Sequence, residues 1–93
     1  MSEERTAHML ISGRVQGVGF RYFVYKTANQ LGLNGWVRNL HNGKVEVFFE
    51  GEEKLVRQGV DHCKIGPSSA RVDKVNVEWD YPEQSNGNFS IRY

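Results

Sequence analysis

Much of what would mark this sequence as a specialised protein is missing from it. It holds one cysteine, Cys63, so no internal disulfide can form, and a reducing compartment is the natural expectation. The three histidines, His8, His41 and His62, are scattered with no metal-ligand spacing, so no metal is expected, and they are read as surface or strand-end residues. A net charge of only +1 leaves too little bulk positive charge to hold a nucleic acid or a membrane surface. No apolar stretch approaches the ~20 residues of a membrane span. The polar start Met1-Ser2-Glu3-Glu4-Arg5 has no signal-peptide core, so a cytoplasmic location is the expectation.

What remains is an ordinary globular composition, 39% hydrophobic and 25% charged, over 93 residues. That length makes one domain, 1–93, able to bury somewhat over ~60% of its unfolded surface in a single core. Residues 1–6 are polar and are expected to fray. There are no repeats, linkers or low-complexity segments.

The most informative stretch runs from Gly13 to Arg21, Gly-Arg-Val-Gln-Gly-Val-Gly-Phe-Arg. It follows the apolar residues Met9 to Ile11, which read as a strand, and leads into a helical pattern. Gly17 and Gly19 tolerate positive φ, which lets successive backbone amides turn inward around an anion. A helix start adds unpaired amides and a positive dipole end. Arg21 brings a planar cation suited to a pair of phosphate oxygens. On spacing alone, a structural loop fits as well as an anion site. The run lacks the Gly-Lys-Ser/Thr ending of a P-loop, and the chain is too short for a dinucleotide fold, so no cofactor is expected.

Hydrophobic spacing orders the rest. Ala7 to Ser12 reads as a strand, and Phe20, Val24, Ala28 and Leu31 mark a helix over about 21–31, stopped by Gly32. Leu33 to Leu40 reads as a strand with Leu33, Val37 and Asn39 on one side. Asn42-Gly43 signals a hairpin into a third strand, where Val45, Val47 and Phe49 alternate. A second helix, amphipathic through Leu55, Val56, Gly59, Val60 and Cys63, ends before Gly66-Pro67. A fourth strand carries Val75, Val77 and Trp79, a loop follows over 82–88, and Phe89 to Tyr93 suits a short edge strand.

This order, β-α-β-β-α-β with a short extra C-terminal strand, is that of an α+β ferredoxin-like α/β sandwich, two helices on one face of an antiparallel sheet. Its first and third strands are central, so the glycine turn leaves a central strand. Asn39 could approach that turn. From pattern alone, the plainer reading is an asparagine making local hydrogen bonds near the hairpin. Arg14, Arg38 and Lys44 are read as solvated cations, and Trp36 and Trp79 as packing aromatics.

The run Gly13 to Arg21 resembles the first signature of the acylphosphatases, and Gly35-Trp36-Val37-Arg38-Asn39 with Gly43-Lys44-Val45 and Gly51 resembles the second. The resemblance extends over nearly the whole chain, to the closing Phe89-Ser90-Ile91-Arg92-Tyr93. It implies the ferredoxin-like fold and metal-independent hydrolysis of a small-molecule acyl phosphate to a carboxylate and inorganic phosphate. It also implies that Arg21 binds the phosphate with backbone amides of Val15, Gln16, Gly17, Val18, Gly19 and Phe20, and that Asn39 holds the attacking water. Inorganic phosphate or sulfate would compete, and a monomer is expected.

Rival readings share the fold. An RNA-binding module has the same element order, and Gly43 to Phe49 is faintly similar to its aromatic third strand, yet lacks the Lys/Arg-Gly-Phe/Tyr-Gly/Ala-Phe pattern and places Glu46 on the binding face. Similar domains also begin larger carbamoyl-transfer proteins of hydrogenase maturation. With no zinc-ligand cysteines or second domain after Tyr93, a free-standing hydrolase is the expectation. A non-catalytic anion-binding module is the third alternative.

Overall fold

A computed structural model describes residues 3–93. The elements are β1 (Glu4–Arg14), α1 (Phe20–Leu31), β2 (Asn34–Asn39), β3 (Val45–Glu52), α2 (Glu53–Ile65), β4 (Arg71–Trp79) and β5 (Phe89–Arg92). They build the ferredoxin-like α+β sandwich. Its sheet has the order β4-β1-β3-β2-β5, with β1 and β3 central.

The alternating residues of the central strands make one wall of the core. Ala7, Met9 and Ile11 of β1 and Val45, Val47 and Phe49 of β3 are fully buried, facing Phe20, Val24 and Ala28 of α1 and Val56, Val60 and Cys63 of α2. Gly59 lets α2 lie close to the sheet, since a Cβ there would stand 2.9 Å from Cε2 of Phe49 on β3. Gly32 ends α1 in the left-handed conformation, φ 69°.

The structure departs from the sequence expectations in three places. β1 begins at Glu4 rather than Ala7. Residues 4–6, expected to fray, pair with β3 through Glu4–Glu52 to Thr6–Glu50, and Arg5 is bound to Asp80 at 3.1 Å. The first two residues of the segment expected to fray lie outside the described residues. Second, β5 pairs with β2 in parallel, so the sheet is mixed at that edge rather than wholly antiparallel. Residues 80–88 carry the chain from the β4 edge to the opposite one, and β5 then runs beside β2 from Gly35–Phe89 to Arg38–Arg92. This direction brings the chain's end to the side of the sheet where β1 meets its glycine turn.

Third, β3 is buried on both faces. Glu46 and Phe48, which alternate with the core valines, are also covered, because Trp36 packs on Phe48 and Tyr81 folds back over it with ring centroids 6.1 Å apart. The Trp36 indole N–H donates to Glu83 Oε2 at 2.7 Å, pinning the returning segment. His8 belongs to this cover, in the middle of β1, and is neither the surface nor the strand-end residue expected. It stacks on Tyr81 at 4.3 Å, and its Nε2 lies 2.7 Å from Glu46 Oε2.

Candidate active site

The glycine turn is built by the end of β1 and the start of α1. Val15 is buried and anchors its first step, while Gly17 and Gly19 take φ of 74° and 77°. Neither glycine has anything within 4 Å of where a Cβ would sit, so conformation and not crowding calls for glycine here. Gly19 is the N-cap of α1 and offers no side chain to its free amides, and the first turn of the helix has no acidic residue. Phe23 N–H donates to Gly19 O at 3.0 Å. Among the described residues, the amides from Gln16 to Tyr22 have no backbone carbonyl partner. A helix N-terminus left open in this way, at the end of a turn of positive-φ glycines, is an arrangement that can surround an anion.

Two side chains fix the turn from outside. Gln16 Nε2 donates to Leu40 O at 2.7 Å and to Lys44 O at 2.9 Å, tying the turn to the β2–β3 hairpin. Ser69 Oγ donates to Val18 O at 2.8 Å from the connection before β4. Sequence reading gave Gln16 and Val18 only as suppliers of backbone amides. Neither lines the cavity beside the turn: Gln16 turns to the hairpin, and Val18 packs against the core.

That cavity, of about 260 Å³, gathers the other expected residues: Val15, Gly17, Gly19, Phe20, Arg21 and Asn39. Tyr22, Ile91 and Tyr93 complete the lining and were not anticipated. The adjacency of Tyr22 to Arg21 was a usable signal. Ile91 and Tyr93 arrive only through the parallel pairing of β5, for which no sequence signal exists.

Arg21 is half-buried at the cavity wall. Its Nη1 donates to Arg92 O at 3.4 Å, and its guanidinium carbon lies 4.7 Å from the centroid of the Tyr93 ring. Among the described residues no carboxylate lies within 4.0 Å of it, so its charge is uncompensated by an ion pair. Asn39, at the end of β2, directs its carboxamide inward. Its Oδ1 is buried without a hydrogen-bond partner among the described residues. A buried acceptor left unmade costs about 1–3 kcal/mol and calls for an explanation.

Of the other polar residues singled out from the sequence, Arg14 is exposed, Lys44 is half-buried, and Arg38 is paired with Glu46 at 2.5 Å. Cys63 is buried, and burial pushes its thiol up to about 12, which makes it a packing residue and not a nucleophile. The face of the sheet away from the helices does not suit base stacking. Phe48 is fully covered and Trp36 nearly so, and the Glu46 carboxylate on the same face is bound to Arg38.

A ferredoxin-like sandwich that sets an open helix N-terminus, an unpaired arginine and an unpartnered buried amide in one cavity is suited to an anion such as phosphate. The family model described as Acylphosphatase matches residues 7–91. An acylphosphatase of Roseiflexus sp. (strain RS-1) is 48% identical over 98% of this chain and 98% of its own. The crystal structure of acylphosphatase from Bacillus subtilis superposes with a TM-score of 0.90 at 37% identity, covering 96% of this chain and 99% of that one. The chain belongs to the acylphosphatase family. It is also similar, at 28% identity and a TM-score of 0.85, to 12% of full-length HypF, whose structure was determined in a phosphate- and nucleotide-bound form.

Proposed function

We propose that the protein hydrolyses small-molecule acyl phosphates without a metal, releasing a carboxylate and inorganic phosphate. The observation that carries this reading is the meeting, in one cavity, of the uncompensated Arg21 with the unpartnered Oδ1 of Asn39. One is a fixed cation for phosphate oxygens and the other a fixed acceptor for a water.

In this reading the phosphoryl oxygens lie against the amides from Gln16 to Tyr22 and the Arg21 guanidinium. Asn39 Oδ1 accepts a hydrogen bond from a water and sets its line of approach to phosphorus. The water oxygen–phosphorus bond forms as the phosphorus–acyl oxygen bond breaks, and the acyl carboxylate leaves. A carboxylate with a pKa near ~4 departs without a general acid. Phosphoryl transfer through a loose transition state asks mainly for positioning and charge stabilisation, which the cradle supplies.

An amide takes up no proton at neutral pH, so Asn39 orients the water and does not act as base. The proton passes to the phosphate itself, whose second pKa is about 6 by analogy with phosphorylated side chains, or to bulk water. The same reading takes residues 1–93 as a single domain, acting as a cytoplasmic monomer, with inorganic phosphate or sulfate as competing ligands.

The test is ultraviolet-monitored hydrolysis of benzoyl phosphate with EDTA present, for the wild type, Arg21→Ala and Asn39→Ala. Metal-independent turnover, inhibited competitively by phosphate and lost by roughly 10² to 10³ in each variant, is the expected result. A folded wild type that binds phosphate but turns nothing over would instead be a binding module on this scaffold.

A further inference from the structure

We propose that Tyr22 forms an acyl-end subsite that selects aromatic acyl phosphates over short aliphatic ones, an inference that rests on the acyl-phosphate reading above. The cavity has a buried inner end and an open outer end. Asn39 Oδ1 is fully covered, whereas Tyr22 is 60% and Tyr93 99% exposed although both line the same cavity. In-line displacement puts the leaving oxygen roughly opposite the attacking water. A water held at the buried Asn39 therefore sends the acyl group outward, between these two rings.

The walls it meets there are aromatic and aliphatic. Ile91 is half-buried beside the rings, and Arg21, at the phosphoryl end, is the one charged side chain of the lining. Among the outer-end side chains of the lining, the polar groups are the two phenolic hydroxyls, and neither is a fixed charge that would recognise an amino or carboxylate group on the acyl chain. An uncharged aromatic acyl group fits this surface, because a flat ring gains stacking contact that an acetyl group cannot make. The two tyrosines are differently placed for the task. The Tyr93 ring already carries the Arg21 guanidinium, at 4.7 Å. Tyr22 is braced along its own helix by Tyr25, centroids 6.4 Å apart at 21°, and by Lys26, whose Nζ lies 5.7 Å from the ring. These are the i+3 and i+4 neighbours that restrict an exposed side chain on a helix surface. Tyr22 and Tyr93 are also two of the three large hydrophobic side chains that the described residues leave exposed, the other being Ile65.

The experiment compares kcat/KM for benzoyl phosphate and acetyl phosphate in the wild type, Tyr22→Ala and Tyr22→Phe, with the inhibition constant for inorganic phosphate measured alongside. The expected result is a benzoyl-to-acetyl ratio that falls about tenfold in Tyr22→Ala through KM, returns in Tyr22→Phe, and is accompanied by unaltered phosphate inhibition. Turnover of both substrates with a ratio within about twofold of wild type in Tyr22→Ala would overturn the subsite and leave the hydrolase reading standing. A wild type that hydrolyses neither substrate would overturn both.

Discussion

The side-chain amide of Gln16 is bound to the Leu40 carbonyl at 2.7 Å, and the same nitrogen reaches Lys44 O at 2.9 Å, so the glycine turn and the strand end that carries Asn39 share one frame. The two carbonyls it binds also serve the hairpin, Leu40 O accepting from Gly43 N–H at 3.2 Å and Lys44 O from Leu40 N–H at 2.8 Å. Loss of Gln16 thus leaves neither carbonyl orphaned, and Gln16→Ala should cost only about 1–2 kcal/mol in denaturant unfolding. Its effect on catalysis should be larger, a fall in kcat/KM of roughly 10- to 100-fold, because a small displacement of the turn against Asn39 misaligns the attack. Gln16→Glu, which would set a carboxylate against two carbonyl oxygens, should be worse on both counts. Wild-type kcat/KM in Gln16→Ala would show that the tie does not set the site's geometry.

Glycines of the two motifs do different work, and alanine separates them. At Gly19 the positive φ of 77° is the only obstacle, since the Cβ position is open, so Gly19→Ala should stay folded at a cost of about 1–2 kcal/mol. At Gly35 a Cβ would stand 1.9 Å from Phe48 O, across the β2–β3 ladder, with φ 134°. Backbone cannot yield there as a side chain would. Gly35→Ala should lose more than ~3 kcal/mol or fail to fold, read by circular dichroism and urea titration.

Glu46 predicts an acid limb of stability. Burial alone would push its carboxyl up, but hydrogen bonds from His8 and Arg38, with their charges, outweigh burial and hold it below the ordinary value of 4.5. A carboxyl depressed in the folded state stabilises fully above its unfolded value, and that contribution disappears as pH falls through the folded one. The stability lead of wild type over Glu46→Gln should therefore be constant near neutrality and shrink below about pH 4.5. Urea unfolding at steps from pH 7 to about pH 3 checks this, and a lead that did not change with pH would refute it.

What could be read from the sequence is what local physics decides. Gly32 stops α1 because a left-handed cap needs glycine, Asn42-Gly43 closes a hairpin, and the alternation of Val45, Val47 and Phe49 reports one buried face; each was legible within a few residues. Within the site, Gly17, Gly19 and Arg21 stood out for the same reason, and the parity of Asn39 with Val37 already put a polar group on an apolar side. The rest depended on distant partners. Gln16 meets carbonyls 24 and 28 residues away, which no local pattern encodes. The four residues of β5 are too few to declare their direction, so the arrival of Tyr93 beside Arg21 was invisible. Phe48 is covered by Tyr81, just before a segment that reads from the sequence only as a loop, and Glu46 is bound to His8 and Arg38 from other strands.

Asn39 has a proposed role in catalysis and no protein partner for its Oδ1, and one substitution separates catalysis from the fold. That oxygen is buried without a partner among the described residues, so removing the carboxamide breaks no intramolecular hydrogen bond to it. The side chain lines the inner end of the cavity, so little packing is lost with it. Asn39→Ala should thus unfold close to the wild-type temperature, even as kcat falls by roughly 10² to 10³ and phosphate still inhibits. Thermal unfolding and steady-state kinetics on the same preparation decide the matter. If the variant is destabilised by more than about 2 kcal/mol, the carboxamide is serving the fold and its polarity needs a structural explanation. If it is stable but hydrolyses acyl phosphate at the wild-type rate, the buried oxygen is not the acceptor that holds the water.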